Sequence, residues 1–409
     1  MNTKPRGRQF FFNPGPTHIP ERVLAAMHRP TIDFLTEDFK TALRDTHSAL
    51  KRTLRTRQHL LLHMANGHGA WEAALCNVFE EGDTVLMLES GYFSFHWTKM
   101  ARDLGLNVDT MHADWRQGVP PEALAERLAA DRGRQIKGVL IVHNETATGH
   151  VQPLADVRAA MDQTGHPAML LVDTISSFAS MDFHFDDWNV DVAVGSSQKG
   201  LMMVTGLSFT CISERAMDAS RRGGMKRSYY DWQQMLTVEP QRFPGTSPVH
   251  LVYGLNEALK MLEEEGLESV IARHARLAEA TRAAVRHWGG QPEPSAITVT
   301  DDGLSAPVKQ IELLIREPGR RSNSVTAILV PEGCDSNHMR RIALDRFNLS
   351  LGQGLGPLAG KAFRIGHLGD LNEPMLLGAL ATVELALRAS GTPHESGGVE
   401  AAIAALSDA

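Results

Sequence analysis

Short apolar runs recur along the first half of the chain without strict polar alternation. "TVLML" (84–88), "GVLIVH" (138–143), "AMLLVDT" (168–174), "DVAVGS" (191–196) and "LSFTCIS" (207–213) are rich in Val, Ile and Leu. That texture suits strands covered on both faces, which are usually parallel. Helical stretches separate many of them. "PPEALAERLAADRG" (120–133) and "PLADVRAAMDQTG" (153–165) carry Pro near the start and Gly at the end, as helices prefer. The pattern predicts an α/β layered domain over roughly the first 280 residues.

A helix stopping at Gly266 and a second one, with Leu267, Val270, Ile271, Leu277, Ala278 and Val285 at helical spacing, follow. After Gly290 the texture changes to strand-like pieces mixed with Pro, Gly and charge. "VTAILVP" (325–331) reads as a strand of a smaller domain and "SNHMRRIALDRF" (336–347) as a helix. The expected organisation is an N-terminal arm (1–20), a large domain with a mostly parallel sheet (21–284), a small C-terminal α+β domain (285–390) and a loosely held tail (391–409). The polar stretch 291–321 has no functional reading.

Composition narrows the function classes. With 409 residues, two domains are the default. A formal net charge of -7 argues against nucleic-acid binding, which needs a basic face. No apolar stretch approaches a membrane span, and the three-residue apolar run "FFF" is too short for a signal peptide. Cys76, Cys211 and Cys334 lie far apart and form neither a disulfide framework nor a metal-type pair. A reducing cytoplasm is the expected location.

Several residues are out of place for a plain core. In "VAVGSSQKGLMM" (192–203) one cation, Lys199, stands between two segments that read as buried. A buried ammonium is costly unless paired or neutral, although a lysine stem can also carry its charge out to water. Asp173 ends the apolar strand of "LLVDTISS" and there needs a partner; a protonated heterocyclic nitrogen would serve, as would a helix-capping job. Asn66, Gly67, His68 and Gly69 precede a helical run, where backbone N–H groups and the helix N-terminus favour an anion. Phe93, in the Gly/Ser-flanked loop of "ESGYFSFHW" (89–97), stands where open α/β sheets bind ligands and could stack on a flat ring. Arg364 in "KAFRIGHLGD" offers the two parallel hydrogen bonds a carboxylate prefers. "GLGPLAGKAF" (354–363) is no P-loop, because Leu355 replaces the first glycine.

In order, these read as anion cup, ring-stacking aromatic, aspartate, lysine and carboxylate-binding arginine. Together with "FNPGPTHIP", "NETATG", "VDTISS", "GSSQKGLM", "EEGLESVIARH" and "GKAFRIGHLGDLNEP", the chain resembles the class V pyridoxal-phosphate aminotransferases over residues 10 to 388, nearest the serine–glyoxylate and alanine–glyoxylate branch. The resemblance implies the aspartate-aminotransferase-like fold, fold type I of the pyridoxal-phosphate transferases. It implies pyridoxal 5'-phosphate as cofactor, joined to Lys199 as a Schiff base, with Lys199 also moving the substrate proton. Asp173 would keep the pyridine nitrogen protonated. Phe93 would stack on the ring, Asn66, Gly67, His68 and Gln198 would serve the phosphate side, and Thr146 the phenolic oxygen. Arg364 would grip the substrate carboxylate.

In the family a loop of the neighbouring subunit completes the phosphate site. "RFPGTSPV" (242–249) matches it and keeps the hydroxyl at Thr246, whereas Phe243 replaces a frequent tyrosine. The resemblance thus implies a homodimer with shared sites, and "NPGPTHIP" near the substrate pocket. The implied chemistry is ping-pong transfer from a small L-amino acid, serine favoured, to glyoxylate, with alanine or aspartate as rival donors. A pyridoxamine–pyruvate relative is disfavoured because Asn66 is neutral where such an enzyme could place a carboxylate. Other readings are a cysteine desulfurase-like lyase, which Cys334 invites but Gln198 opposes because that pattern has a histidine before the lysine, and a silent cofactor-binding regulator.

Overall fold

The computed structural model describes residues 7–290 and 294–407. Residues 1–6 of the expected arm, 291–293 of the polar stretch and 408–409 of the tail lie outside the described residues.

After a short strand, β1 (Phe10–Phe12), seven strands build the main sheet: β2 (His59–His63), β3 (Thr84–Leu88), β4 (Asn107–Met111), β5 (Ile136–Val142), β6 (Met169–Asp173), β7 (Val192–Ser196) and β8 (Ser208–Ile212). Their order across the sheet is β2-β8-β7-β6-β5-β3-β4. All pairs from β4 to β7 are parallel, and β8 runs antiparallel to both of its neighbours. The mostly parallel sheet expected from the apolar runs is therefore present. Successive residues feed opposite faces: Leu86, Val139, Ile141 and Leu170 join one core, whereas Val85, Met87, Leu140 and Leu171 join the other. Both faces are covered, which is why these strands read as continuous apolar runs. Each such side chain contributes roughly 1.5–3 kcal/mol on burial. The two edge strands, β2 and β4, are outside the expected set. β4 is the half-exposed "NVDTM"; β2 buries Leu60, Leu61 and Leu62 on both faces, but its apolar run is only three residues long between two histidines.

A second sheet contains β9 (Glu312–Leu313), β10 (Val325–Leu329), β11 (Leu349–Gln353) and β12 (Ala362–Gly366) in the order β1-β11-β12-β10-β9. Its first strand comes from the start of the chain: Phe10, Phe11 and Phe12 lie parallel to Leu349, Ser350 and Leu351.

Helices that border the site or build the second core include α1 (Gly67–Val78), α2 (Tyr92–Asp103), α3 (Leu267–Trp288), α4 (Glu373–Ser390) and α5 (Gly398–Ser407), and the expected helix at Ser336–Phe347 adds Met339 and Ala343 to that core. Along α3, Val270 belongs to the main-sheet core, and Leu277, Ala280, Ala284, Val285 and Trp288 to the second core. The expected division between residues 284 and 285 thus falls inside one helix that serves both.

The tail differs from its expectation. Residues 398–407 form α5 against α3, and Glu384 of α4 accepts Trp288 Nε1–H at 2.9 Å and the N–H groups of Gly397 and Gly398, each at 3.1 Å. A Cβ on Gly398 would stand 2.2 Å from Trp288 Nε1, so the missing side chain permits the approach.

The described part of the 291–321 stretch wraps Arg116, which is fully buried. The guanidinium donates to the carbonyls of Ile297, Leu313 and Leu314 and pairs with Glu312 at 3.1 Å. Carbonyls plus one carboxylate satisfy a buried cation well.

Candidate active site

The carboxyl ends of β2, β3, β5, β6 and β7 all open on one cavity of about 270 Å³, the usual place for a ligand in an open α/β sheet. Each strand delivers a different residue there: Asn66 and Gly67 beyond β2, Phe93 beyond β3, Asn144 and Thr146 beyond β5, Asp173 at the end of β6, and Gln198 and Lys199 beyond β7.

Asp173 is 4% exposed. Its Oδ2 accepts Trp71 Nε1–H at 3.0 Å and its Oδ1 accepts the Ile175 N–H at 2.6 Å. Burial pushes its carboxyl up to about 7 despite these bonds. Lys199 is 8% exposed and donates to the Pro14 carbonyl at 2.5 Å. Burial, and then the nearby Arg364 charge, bring its ammonium down to about 7. The two groups are thus shifted toward each other, so each exchanges a proton near neutrality.

The N-terminal segment holds the lysine from above. Thr17 donates its hydroxyl to the Lys199 carbonyl at 3.0 Å and its N–H to the Gln198 carbonyl at 3.1 Å. Gly15 lines the cavity at φ +123°, and a Cβ there would stand 2.2 Å from Lys199 Nζ. Gly15→Ala therefore has to displace the amine or the arm. We expect at least about a tenfold loss in kcat/KM, the cost of misplacing a reacting group, with the protein still folded by far-ultraviolet circular dichroism. Unchanged kcat/KM in that variant would remove the arm from the site.

The anion cup forms at the start of α1. Asn66 is its N-cap and accepts the His68 N–H at 3.1 Å. A Cβ on Gly67 would stand 2.2 Å from Ile175 Cδ1, so backbone alone fits there. Phe93 lines the cavity from the first turn of α2 rather than from a loop, because the helix begins at Tyr92, immediately after Gly91. Thr146 donates its hydroxyl to Ser176 Oγ at 2.6 Å. The Gln198 side chain lines the cavity and accepts the Ser196 hydroxyl.

Two expected site residues are placed differently. Arg364 is buried one layer behind the cavity wall, where it donates Nη1–H to the Thr146 carbonyl and Nε–H to the Gln353 carbonyl, both at 2.8 Å. Burial lowers it to about 10, so it stays a cation at neutral pH. Thr246 is not among the residues around Lys199. It lines a separate hollow of about 710 Å³ with Phe34 and Leu251.

The structure adds Trp71, Asn144, Ile175, Ser176 and Thr205 to the cavity. Trp71 lies in a helical run whose visible signal is core packing, and Ile175 stands inside "VDTISS", two residues after Asp173. Asn144 stands in "HNETATG", two residues before Thr146, and that proximity was the available signal.

The residues fit pyridoxal phosphate. Asn144 Oδ1 is buried with no partner among the described residues, as an acceptor waiting for a ligand hydroxyl would be. Asp173 is a buried carboxylate facing a place for a ring cation, and the α1 N-terminus suits a phosphate. Among the described residues no cluster of His, Cys, Asp or Glu could hold a metal.

Comparison with known proteins agrees with this geometry. The family model for aminotransferase class-V matches residues 9–291. The serine–glyoxylate aminotransferase of Methylorubrum extorquens is 43% identical over 98% of this chain and 96% of its own length. The L-aspartate–glyoxylate aminotransferase of Paracoccus denitrificans is 41% identical over 96% of this chain and 94% of its own. The crystal structure of pyridoxamine–pyruvate aminotransferase from Mesorhizobium loti superposes with a TM-score of 0.87 at 25% identity, covering 100% of both chains. On the family match, the near-full-length relatives and the cavity at the sheet's carboxyl edge, this chain belongs to the class V aminotransferases and is a pyridoxal-phosphate enzyme.

Proposed function

We propose that the protein moves the amino group of a small L-amino acid, serine favoured, to glyoxylate by a ping-pong reaction, leaving glycine and an oxo acid. The observation that carries the reading is the placement of Asp173 and Lys199 at neighbouring strand ends, both buried and both facing one cavity with a helix N-terminus at its floor. Bound pyridoxal phosphate supplies an aldehyde for the nitrogen and an electron-withdrawing ring.

The protein's own residues do the rest. Asp173 holds a proton at the ring nitrogen. Lys199, with its amine brought near neutrality, carries a proton to and from the substrate α-carbon. Phe93 packs against the ring, Thr146 and Asn144 hold its hydroxyl edge, and Asn66, Gly67, His68 and Gln198 hold the phosphate. Arg364 is the carboxylate-binding cation, reached by a shift of the Thr146 carbonyl now on its Nη1.

The choice of donor is supported by the lining. Thr146, Ser176, Thr205 and Asn144 give it a polar wall, and Lys199 is its only Lys or Arg among the described residues. A donor with a second carboxylate would meet no second cation there. Cys334 lines a different hollow, of about 450 Å³, beside Lys361 in the smaller domain, which removes the support for a lyase in which it acts as nucleophile.

The position of Thr246 away from Lys199 supports a homodimer in which the 242–249 loop serves the partner's phosphate site. The three free cysteines support a cytoplasmic location, and no helix among the described residues is long and apolar enough to cross a membrane.

The test is the visible absorption of the bound cofactor before and after L-serine, L-aspartate or L-alanine, and then glyoxylate. L-serine is expected to abolish the resting band and glyoxylate to restore it. A stronger response to aspartate would reassign the donor, and no response to any donor would end the transaminase reading. Sedimentation of the cofactor-saturated protein as a monomer would end the shared-site reading.

A further inference from the structure

We infer that Glu145 is a positioning residue for the reaction: one buried carboxylate fixes, through backbone N–H groups, both the turn of α2 that carries Phe93 and the turn that carries Thr146. The inference rests on the reading of Phe93 and Thr146 as cofactor contacts.

Glu145 is fully buried. Its Oε2 accepts the N–H of Phe93 at 2.9 Å and of Ser94 at 3.1 Å. Its Oε1 accepts the N–H of Ala147 at 3.1 Å. Its own carbonyl accepts from Thr148 at 3.2 Å and Gly149 at 2.8 Å, which closes the turn just past Thr146. The side chain therefore spans the gap between the β3–α2 and β5 connections, two segments 52 residues apart in sequence.

Room for the carboxylate is provided by Gly91, where a Cβ would stand 2.5 Å from Glu145 Cγ. The arrangement exceeds what a helix start requires. Ser94 Oγ already accepts the N–H groups of Ser90 and Gly91 at 3.0 and 3.1 Å. The three N–H groups of Phe93, Ser94 and Ala147 and the positive end of α2 hold Glu145. A buried carboxylate held only by amides is costly to maintain for packing alone. Burial pushes its carboxyl up to about 7 against the pull of the three N–H groups, and in its ionised form it favours the charged forms of Lys199 and Arg364.

Glu145→Gln keeps the size but replaces one accepting oxygen with a donor, so at least one of the N–H groups is left facing an NH2. In the holoenzyme we expect the cofactor Kd to rise about tenfold, the effect of one unpaired buried donor. The visible circular dichroism of the bound cofactor should weaken and kcat should fall. Glu145→Asp, which keeps the charge but is too short to reach both turns, should show the same changes and serves if the glutamine variant does not fold. Ser94→Ala loosens the same helix start without touching the carboxylate, and is expected to lower Tm while leaving the circular dichroism band and the Kd unchanged.

If Glu145→Gln keeps the wild-type band, Kd and kcat, the inference is overturned. It is overturned equally if Ser94→Ala reproduces the losses at the same fall in Tm, since Glu145 would then act only as scaffold. A wild-type protein that binds no pyridoxal phosphate would overturn the site reading itself, and is told apart because it fails before any variant is compared.

Discussion

Lys199→Ala is expected to lower kcat by about 10⁴-fold, the upper end of what a positioned acid–base residue contributes. The size follows from the surroundings. Among the described residues lining the cavity, no other side chain is an amine, and the one histidine, His68, is biased to its neutral form by burial and by His96. No neighbour can therefore both take the α-proton and hold the cofactor covalently. The variant should still retain cofactor, because Asp173, the α1 N-terminus and Phe93 are untouched, but its absorption should be that of the unlinked aldehyde. Single-turnover transfer from L-serine is the measurement. Residual turnover within tenfold of wild type would show that Lys199 is only a packed lysine.

Asp173→Asn is expected to cost about 10³-fold in kcat, the range for removing one preorganised electrostatic group. Asparagine keeps an acceptor for the Trp71 indole or the Ile175 N–H but cannot hold a proton on the ring nitrogen. The same change should make the cofactor-free protein more stable, with a pH dependence of definite sign. Burial raises the Asp173 carboxyl from the ordinary 3.8 to about 7. Between those values the folded chain holds a proton that the unfolded chain has released, so folding stability falls as pH rises through the window. The gain in Tm on Asp173→Asn should be absent below about pH 4 and complete above about pH 7. Lys199 contributes with the opposite slope. Its ammonium is lowered from 10.5 to about 7, so its cost is full below pH 7 and fades as pH climbs toward the free-lysine value. Thermal melts of stripped protein between pH 4 and pH 10 test both. A flat profile for Asp173→Asn would mean that the carboxyl is not desolvated.

The legible parts of this chain were those where chemistry contradicts its local texture. Asp173 and Lys199 stand at the ends of apolar runs where a charge needs a reason, and both face the cavity. The central strands were legible because burial on both faces leaves uninterrupted apolar runs. Edge strands such as "NVDTM" carry no such run. Glu145 was hidden for a different reason. It sits among polar residues in "HNETATG", and its partners are main-chain N–H groups of Phe93 and Ser94, which no side-chain pattern announces. Arg364 was legible as a cation of the smaller domain, but its burial behind Thr146 depends on a contact across two sheets. The helix at 398–407 was missed because its partner, Trp288, lies more than a hundred residues earlier and the approach needs only a missing Cβ at Gly398.

The strand β1 also sets an order of events during synthesis. Its backbone partners at Leu349–Leu351 are made more than three hundred residues after it, so Phe10–Phe12 must wait, unpaired, while the strands of the main sheet emerge. The arm after β1, Pro14–Thr17, clasps Lys199 only once that strand is anchored. The main domain is thus able to fold early with an open, unclasped lysine, and the enzyme acquires its finished centre only when β1 has paired with Leu349–Leu351.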